Sequence, residues 1–117
     1  MRVAVATMDE RVAPCLEYCS TITVYQVDGA RVVERLPIPV RSTDSFDRVR
    51  LLRDQRVSVL ICDGLQAAYE TALRASGIRV IPWVSGSVED VMTLFLAGRL
   101  AAEEVPARAQ GRSTNLT

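Results

Sequence analysis

The spacing of apolar residues changes period once along this chain, and that change limits what it can fold into. Residues 2–7, Arg2-Val3-Ala4-Val5-Ala6-Thr7, form a short apolar and β-branched run that reads as a strand. From Ser20 to Val27 polar and apolar residues nearly alternate, as in a half-buried strand. Asp28-Gly29 supplies a two-residue hairpin signal, in which both positions need positive φ. Residues 30–38 return as a third strand, which Pro37 and Pro39 are expected to stop. Between the first two strands, residues 8–19 hold Asp9 and Pro14 and show no helical period. That segment is expected to be a long loop and the least ordered internal stretch.

After the cap candidates Ser42 to Ser45 the period becomes helical, with Phe46, Val49 and Leu52 on one face. Val57 to Ile61 is a short apolar strand of the kind buried on both faces. Leu65, Ala68, Tyr69, Ala72 and Leu73 follow the stripe of an amphipathic helix, and Gly77 stands where a left-handed cap belongs. Ile78 to Ile81 is a fifth strand, ended by Pro82. Ser87 with Asp90 resembles a capping box, and Val88, Val91, Met92 and Phe95 line the helix that Gly98 ends. The order β-β-β-α-β-α-β-α predicts one α/β domain over residues 1–104. Its mixed five-stranded sheet has the order 3-2-1-4-5, with strand 2 antiparallel and three helices packed by right-handed crossovers. Residues 105–117 are expected to form a disordered tail.

A length of 117 residues suits one domain. Fourteen basic residues, all Arg, balance fourteen acidic ones, so no overall field draws the chain to nucleic acid or to an anionic membrane. Asp9, Glu10 and Arg11 interrupt the first apolar run, leaving no signal-peptide core, and no apolar stretch approaches a membrane span. The chain is therefore expected in the cytoplasm, with Cys15, Cys19 and Cys62 as thiols. An odd count also argues against a purely structural disulfide framework.

Five segments resemble the dinitrogenase iron–molybdenum cofactor biosynthesis family, which includes cofactor carriers and orange-protein-like domains. Arg2-Val3-Ala4-Val5-Ala6-Thr7 is similar to the family's first strand. Val12-Ala13-Pro14-Cys15-Leu16-Glu17-Tyr18-Cys19 occupies the place of its Val-Ser-x-His-Phe-Gly-Arg-Ala segment, with Cys15 where the histidine usually stands. Val59-Leu60-Ile61-Cys62-Asp63-Gly64-Leu65 resembles the apolar strand and Gly-rich turn, with Asp63 and Gln66 where glycine is common. Gly77-Ile78-Arg79-Val80 and Ala97-Gly98-Arg99-Leu100 match the remaining two. The resemblance spans roughly residues 1–100 and implies a ribonuclease H-like fold. It also implies a carrier of a metal–sulfur cluster of iron–sulfur, iron–molybdenum or molybdenum–copper type. The partners it implies are metallocluster donor or acceptor proteins.

In such a sheet the loops leaving strands 1 and 4 emerge at one carboxyl edge, where open α/β sheets bind ligands. Cys15, Cys19 and Cys62 are then candidate metal ligands, because thiolates are soft donors and three leave one position open for exchange. Arg11, Asp63, Gly64 and the start of the helix near Leu65 complete the candidate cofactor site, the helix end adding N–H groups and partial positive charge. A packing role stands beside each ligand role. Cys62 closes an apolar strand, Cys19 starts the inward face of another, and Trp83 is either packing or an apolar wall.

Enzymatic chemistry is not expected. Asp9 and Asp63 are too few acids for a two-metal nuclease, and no histidine is present to serve as acid or base. The alternative to a carrier is a partner-binding or regulatory module of the same fold without metal.

Overall fold

The computed structural model describes residues 1–41 and 46–100. The expected tail, residues 105–117, and the cap candidates Ser42 to Ser45 lie outside the described residues. One mixed sheet contains six strands: β1 (Arg2–Met8), β2 (Arg11–Val12), β3 (Thr21–Asp28), β4 (Arg31–Pro39), β5 (Val59–Ile61) and β6 (Arg79–Ile81). The helices are α1 (Phe46–Asp54), α2 (Ala67–Ala75) and α3 (Val88–Leu96), with a short 3-10 turn at Leu16–Tyr18. The sheet runs β4-β3-β1-β5-β6, with β2 paired to β1 off this path. β3 is antiparallel to β1 and β4, whereas β1, β5 and β6 are mutually parallel.

β1 is central, and its alternation assigns the two faces. Ala4 and Ala6 pack with Ile22, Val24, Leu60 and Val80 under α1 and α2. Val3 and Val5 pack with Val27, Val59, Ile61 and Ile81 on the opposite face, which α3 covers through Val91 and Met92. Each fully buried aliphatic side chain contributes roughly 1.5–3 kcal/mol relative to its exposed state, so the two clusters together outweigh any single polar contact. β4 is the edge, exposed along nearly its whole length. It ends at Pro39, as expected, and holds Pro37 within it, because an edge strand leaves one row of backbone positions outside the ladder, where no N–H is needed.

Residues 8–19 differ most from expectation. In place of a loop with few contacts, Arg11–Val12 adds a sixth strand, and Ala13, Leu16 and Cys19 are fully buried or nearly so. The Ala13 N–H donates to the Ala6 carbonyl at 2.8 Å, and the Val12 N–H to Gly86 at 2.9 Å. A two-residue strand with a single apolar residue, Val12, is too short to show an alternating pattern. Smaller shifts are local. The hairpin turns at Gly29 and Ala30, since Asp28 still pairs with Arg31. α2 starts at Ala67, and its Ala68 is exposed. The Ser87 cap is present, its Oγ accepting the Asp90 N–H at 3.1 Å.

α1 and α2 end in the same way with different residues. At the end of α2, Gly77 takes φ +82°, the Ile78 N–H bonds to the Leu73 carbonyl at 3.1 Å and the Gly77 N–H to Arg74 at 3.0 Å. At the end of α1, Arg56 takes φ +56°, with Val57 bonded to Leu52 at 3.1 Å and Arg56 to Arg53 at 3.0 Å. A side chain in the left-handed region costs energy that glycine avoids. Arg56→Gly should therefore raise stability by about 0.5 kcal/mol, and Gly77→Ala should lower it by about 1 kcal/mol. Urea midpoints measured on both variants check this, and a loss of stability in Arg56→Gly would contradict it.

Candidate functional site

β1 and β5 are parallel neighbours, with Val5 opposite Ile61, so the segments leaving them emerge at one edge. There the two segments are zipped together: Cys15 and Gly64 form a parallel bridge. The Leu16 N–H donates to the Gly64 carbonyl at 2.8 Å, and the Gly64 N–H donates to Pro14 at 3.0 Å. This close approach favours glycine at position 64. An added Cβ would lie 3.0 Å from the Pro14 carbonyl oxygen and 3.7 Å from the Trp83 ring.

Trp83 is itself unusual, holding φ +64° with its N–H bonded to the Asp63 carbonyl at 3.0 Å. A bulky residue in the left-handed region is strained, and such strain gathers at functional sites. Trp83 is 49% exposed, and Tyr18, on the segment that carries Cys15, is 76% exposed. The edge therefore presents a half-buried thiol, a glycine and exposed aromatic surface.

A residue that the sequence pattern did not single out organises this edge. Glu17 is only 7% exposed. One carboxylate oxygen accepts the Cys15 thiol, and the other accepts the Gln66 N–H at 2.6 Å. Gln66 is the N-cap of α2 and makes no side-chain cap bond of its own. The helix end expected to attract an anionic cluster thus already holds a carboxylate from the chain. Only the pairing of segments 49 residues apart creates this contact, so no local motif announces it.

The three thiols stand in different surroundings. Cys15 is half-buried at the edge, while Cys19 and Cys62 belong to the core under α1 and α2. Among the described residues, no three Cys, Asp or Glu side chains are grouped to hold one metal ion. Arg48, nearly buried, donates from Nη2 to the Cys19 carbonyl at 2.8 Å. Asp63 and Gly64 lie at the bridge with Cys15. Arg11 sits on β2, bridged to Ser87 on the side of α3.

Burial raises all three thiols above their ordinary value. For Cys15 the bond to Glu17 adds to desolvation. For Cys19 desolvation prevails over the lowering effect of Arg48. The shift is largest for Cys62, which is fully buried. An unfolded thiol ionises near 9.0, whereas the folded Cys62 thiol keeps its proton to higher pH. The folded state then binds more protons above that pH, and stability falls as pH rises. Unfolding curves of the parent and Cys62→Ala should run parallel below pH 9.0 and converge above it as the parent loses stability faster. A constant separation across that range would refute the shift.

Among the described residues, no helix is long and apolar enough to cross a membrane. Comparison with curated proteins found no match. Among solved structures, the protein PH0822 aligns with a TM-score of 0.82 at 21% identity, covering 86% of this chain and 93% of that one. The apo form of the orange protein from Desulfovibrio gigas aligns at 0.70 and 21% identity, covering 86% and 90%. At that identity these likenesses show the fold. The profile of the family described as dinitrogenase iron-molybdenum cofactor matches residues 1–98, so the chain belongs to that family.

Proposed function

We propose that this chain is a carrier that docks an anionic metal–sulfur unit, related to the iron–molybdenum cofactor, at the carboxyl edge of its sheet. The observation that carries the reading is the bridge between Cys15 and Gly64 beside the strained, exposed Trp83. It joins the one partly accessible thiol to a flat surface with no Cβ, and to an aromatic ring able to cover a cargo. The cargo is of iron–sulfur, iron–molybdenum or molybdenum–copper type, received from and passed to metallocluster-handling proteins. Such a carrier binds and releases without catalysis, and works in the reducing cytoplasm, which keeps its cysteines as thiols. We read the domain as residues 1–104 and its fold as ribonuclease H-like.

In this reading Cys15 alone touches the cargo, while Cys19 and Cys62 serve as core residues. Ligation needs the thiolate, and Cys15 is held protonated by its burial and by Glu17. Cargo retention through Cys15 should therefore weaken as pH falls, by about tenfold per unit while the thiol titrates against the metal. The protonated state favours the second reading, a partner-docking surface without metal. The two separate in one experiment: anaerobic reconstitution with iron, sulfide and thiomolybdate, with metal counted per chain and melting followed in parallel.

The carrier reading expects Cys15→Ser and Trp83→Ala each to lower metal content while leaving the melting temperature nearly unchanged. It expects Cys62→Ser to keep the metal but lose about 1–3 kcal/mol, the cost of burying a poorly paired hydroxyl. If Cys19→Ser and Cys62→Ser also strip the metal below their melting points, three thiols act together and the single-thiol site is wrong. If the parent takes up no metal, the partner-docking reading stands.

A further inference from the structure

A cleft of about 600 Å³ opens on the α3 face, away from the bridge between Cys15 and Gly64. It exists because one nine-residue helix covers that face, leaving the β3 and β4 side of the sheet uncapped. Its floor is built from β1 and β3. Thr7 and Thr23 line it, although they are only 4% and 2% exposed, and Tyr25 follows along β3. Thr7 gives its single hydroxyl hydrogen to the Thr21 carbonyl at 3.1 Å. In the 3.3 Å contact between the two hydroxyls, Thr23 is then the donor. The pair is left with lone pairs alone, so it favours a ligand that brings hydrogen-bond donors.

The charges around the floor are separated along its length. Asp9, Glu10 and Glu89 line the carboxyl end, where they outnumber Arg11. Arg35 lines the other end, since it pairs with Tyr25, which in turn lies opposite Val3. Among the described residues none of these five side chains forms an ion pair. Met92 and Leu96 of α3 form an apolar wall between the two ends. From the level of Thr7 to that of Val3 is four residues of strand, or roughly 13 Å.

We propose that this cleft binds a short extended peptide, its cationic end at Asp9, Glu10 and Glu89 and its carboxylate at Arg35. An apolar middle would lie between the two ends against Met92 and Leu96, with Tyr25 beneath the carboxylate end. About four residues of extended chain span the distance. This site is independent of the cargo site: it uses none of Cys15, Gly64 or Trp83.

The test is amide chemical-shift mapping of the full chain with the free tetrapeptide arginyl-alanyl-valyl-alanine. Two analogues accompany it: one acetylated with citrulline in place of arginine, and one ending in an amide. Saturable shifts should fall on Thr7, Thr23, Tyr25, Arg35 and residues 89–93. The amide and the neutral analogue should each bind about tenfold more weakly. Arg35→Gln should abolish the preference for the free acid over the amide while leaving the cation preference intact. Glu89→Gln should do the reverse. Both positions are on the surface, and unchanged melting shows that the variants fold. The proposal fails if no shift saturates at millimolar peptide, if the three peptides bind the parent alike, or if the shifts gather around Cys15 and Gly64 instead.

Discussion

Val3, Ala4, Val5 and Ala6 expose no surface; all four pair with β3 on one side, and Val3, Ala4 and Val5 pair with β5 on the other. Everything else in the molecule is positioned by this strand. Alanine on the α1 and α2 side lets two helices approach closely, whereas valine on the α3 side fills space beneath one helix. Because β1 and β5 are parallel, the segments that follow them must turn at the same edge. Their mutual hydrogen bonds at Pro14, Leu16 and Gly64 follow from that shared exit.

The edge so formed balances two tendencies. The start of α2 and the packed loops create a place where negative charge is favoured. Glu17 occupies it, and in doing so keeps the Cys15 thiol protonated. On the proposed carrier reading, an incoming anionic cargo competes with a carboxylate that is already desolvated and hydrogen-bonded. A carrier benefits from such competition, since a site that satisfies itself when empty can release what it holds.

Much of the fold was legible in the residues, and the reasons are physical. Phe46, Val49 and Leu52, like Val88, Val91, Met92 and Phe95, repeat at helical spacing over about two turns, long enough for the period to be clear. Ser87 and Gly77 act through their own neighbours, so their roles follow from short-range chemistry. The segment from Asp9 to Cys19 was not legible. Its order comes from partners at Gly64 and Gly86, far away in sequence, and at Ala6 on the preceding strand. The same holds at the candidate site. Cys15 and Gly64 could be placed near each other once the parallel pairing was assumed. Glu17 could not, because a glutamate before a strand looks like any solvated acid until the segment at Gln66 meets it.

β4 ends in Pro37 and Pro39, two residues that lack a backbone donor and share one parity. A neighbouring chain that aligned against this edge would find carbonyl oxygens there with no matching N–H between them. Sheet extension could proceed along Arg31 to Leu36 but would stall beyond. The strand most open to the outside is therefore blunted against continuous polymerisation. The exposed Val32, Val33 and Leu36 share that stretch with Arg31, Glu34 and Arg35, whose charges oppose the stacking of identical strands.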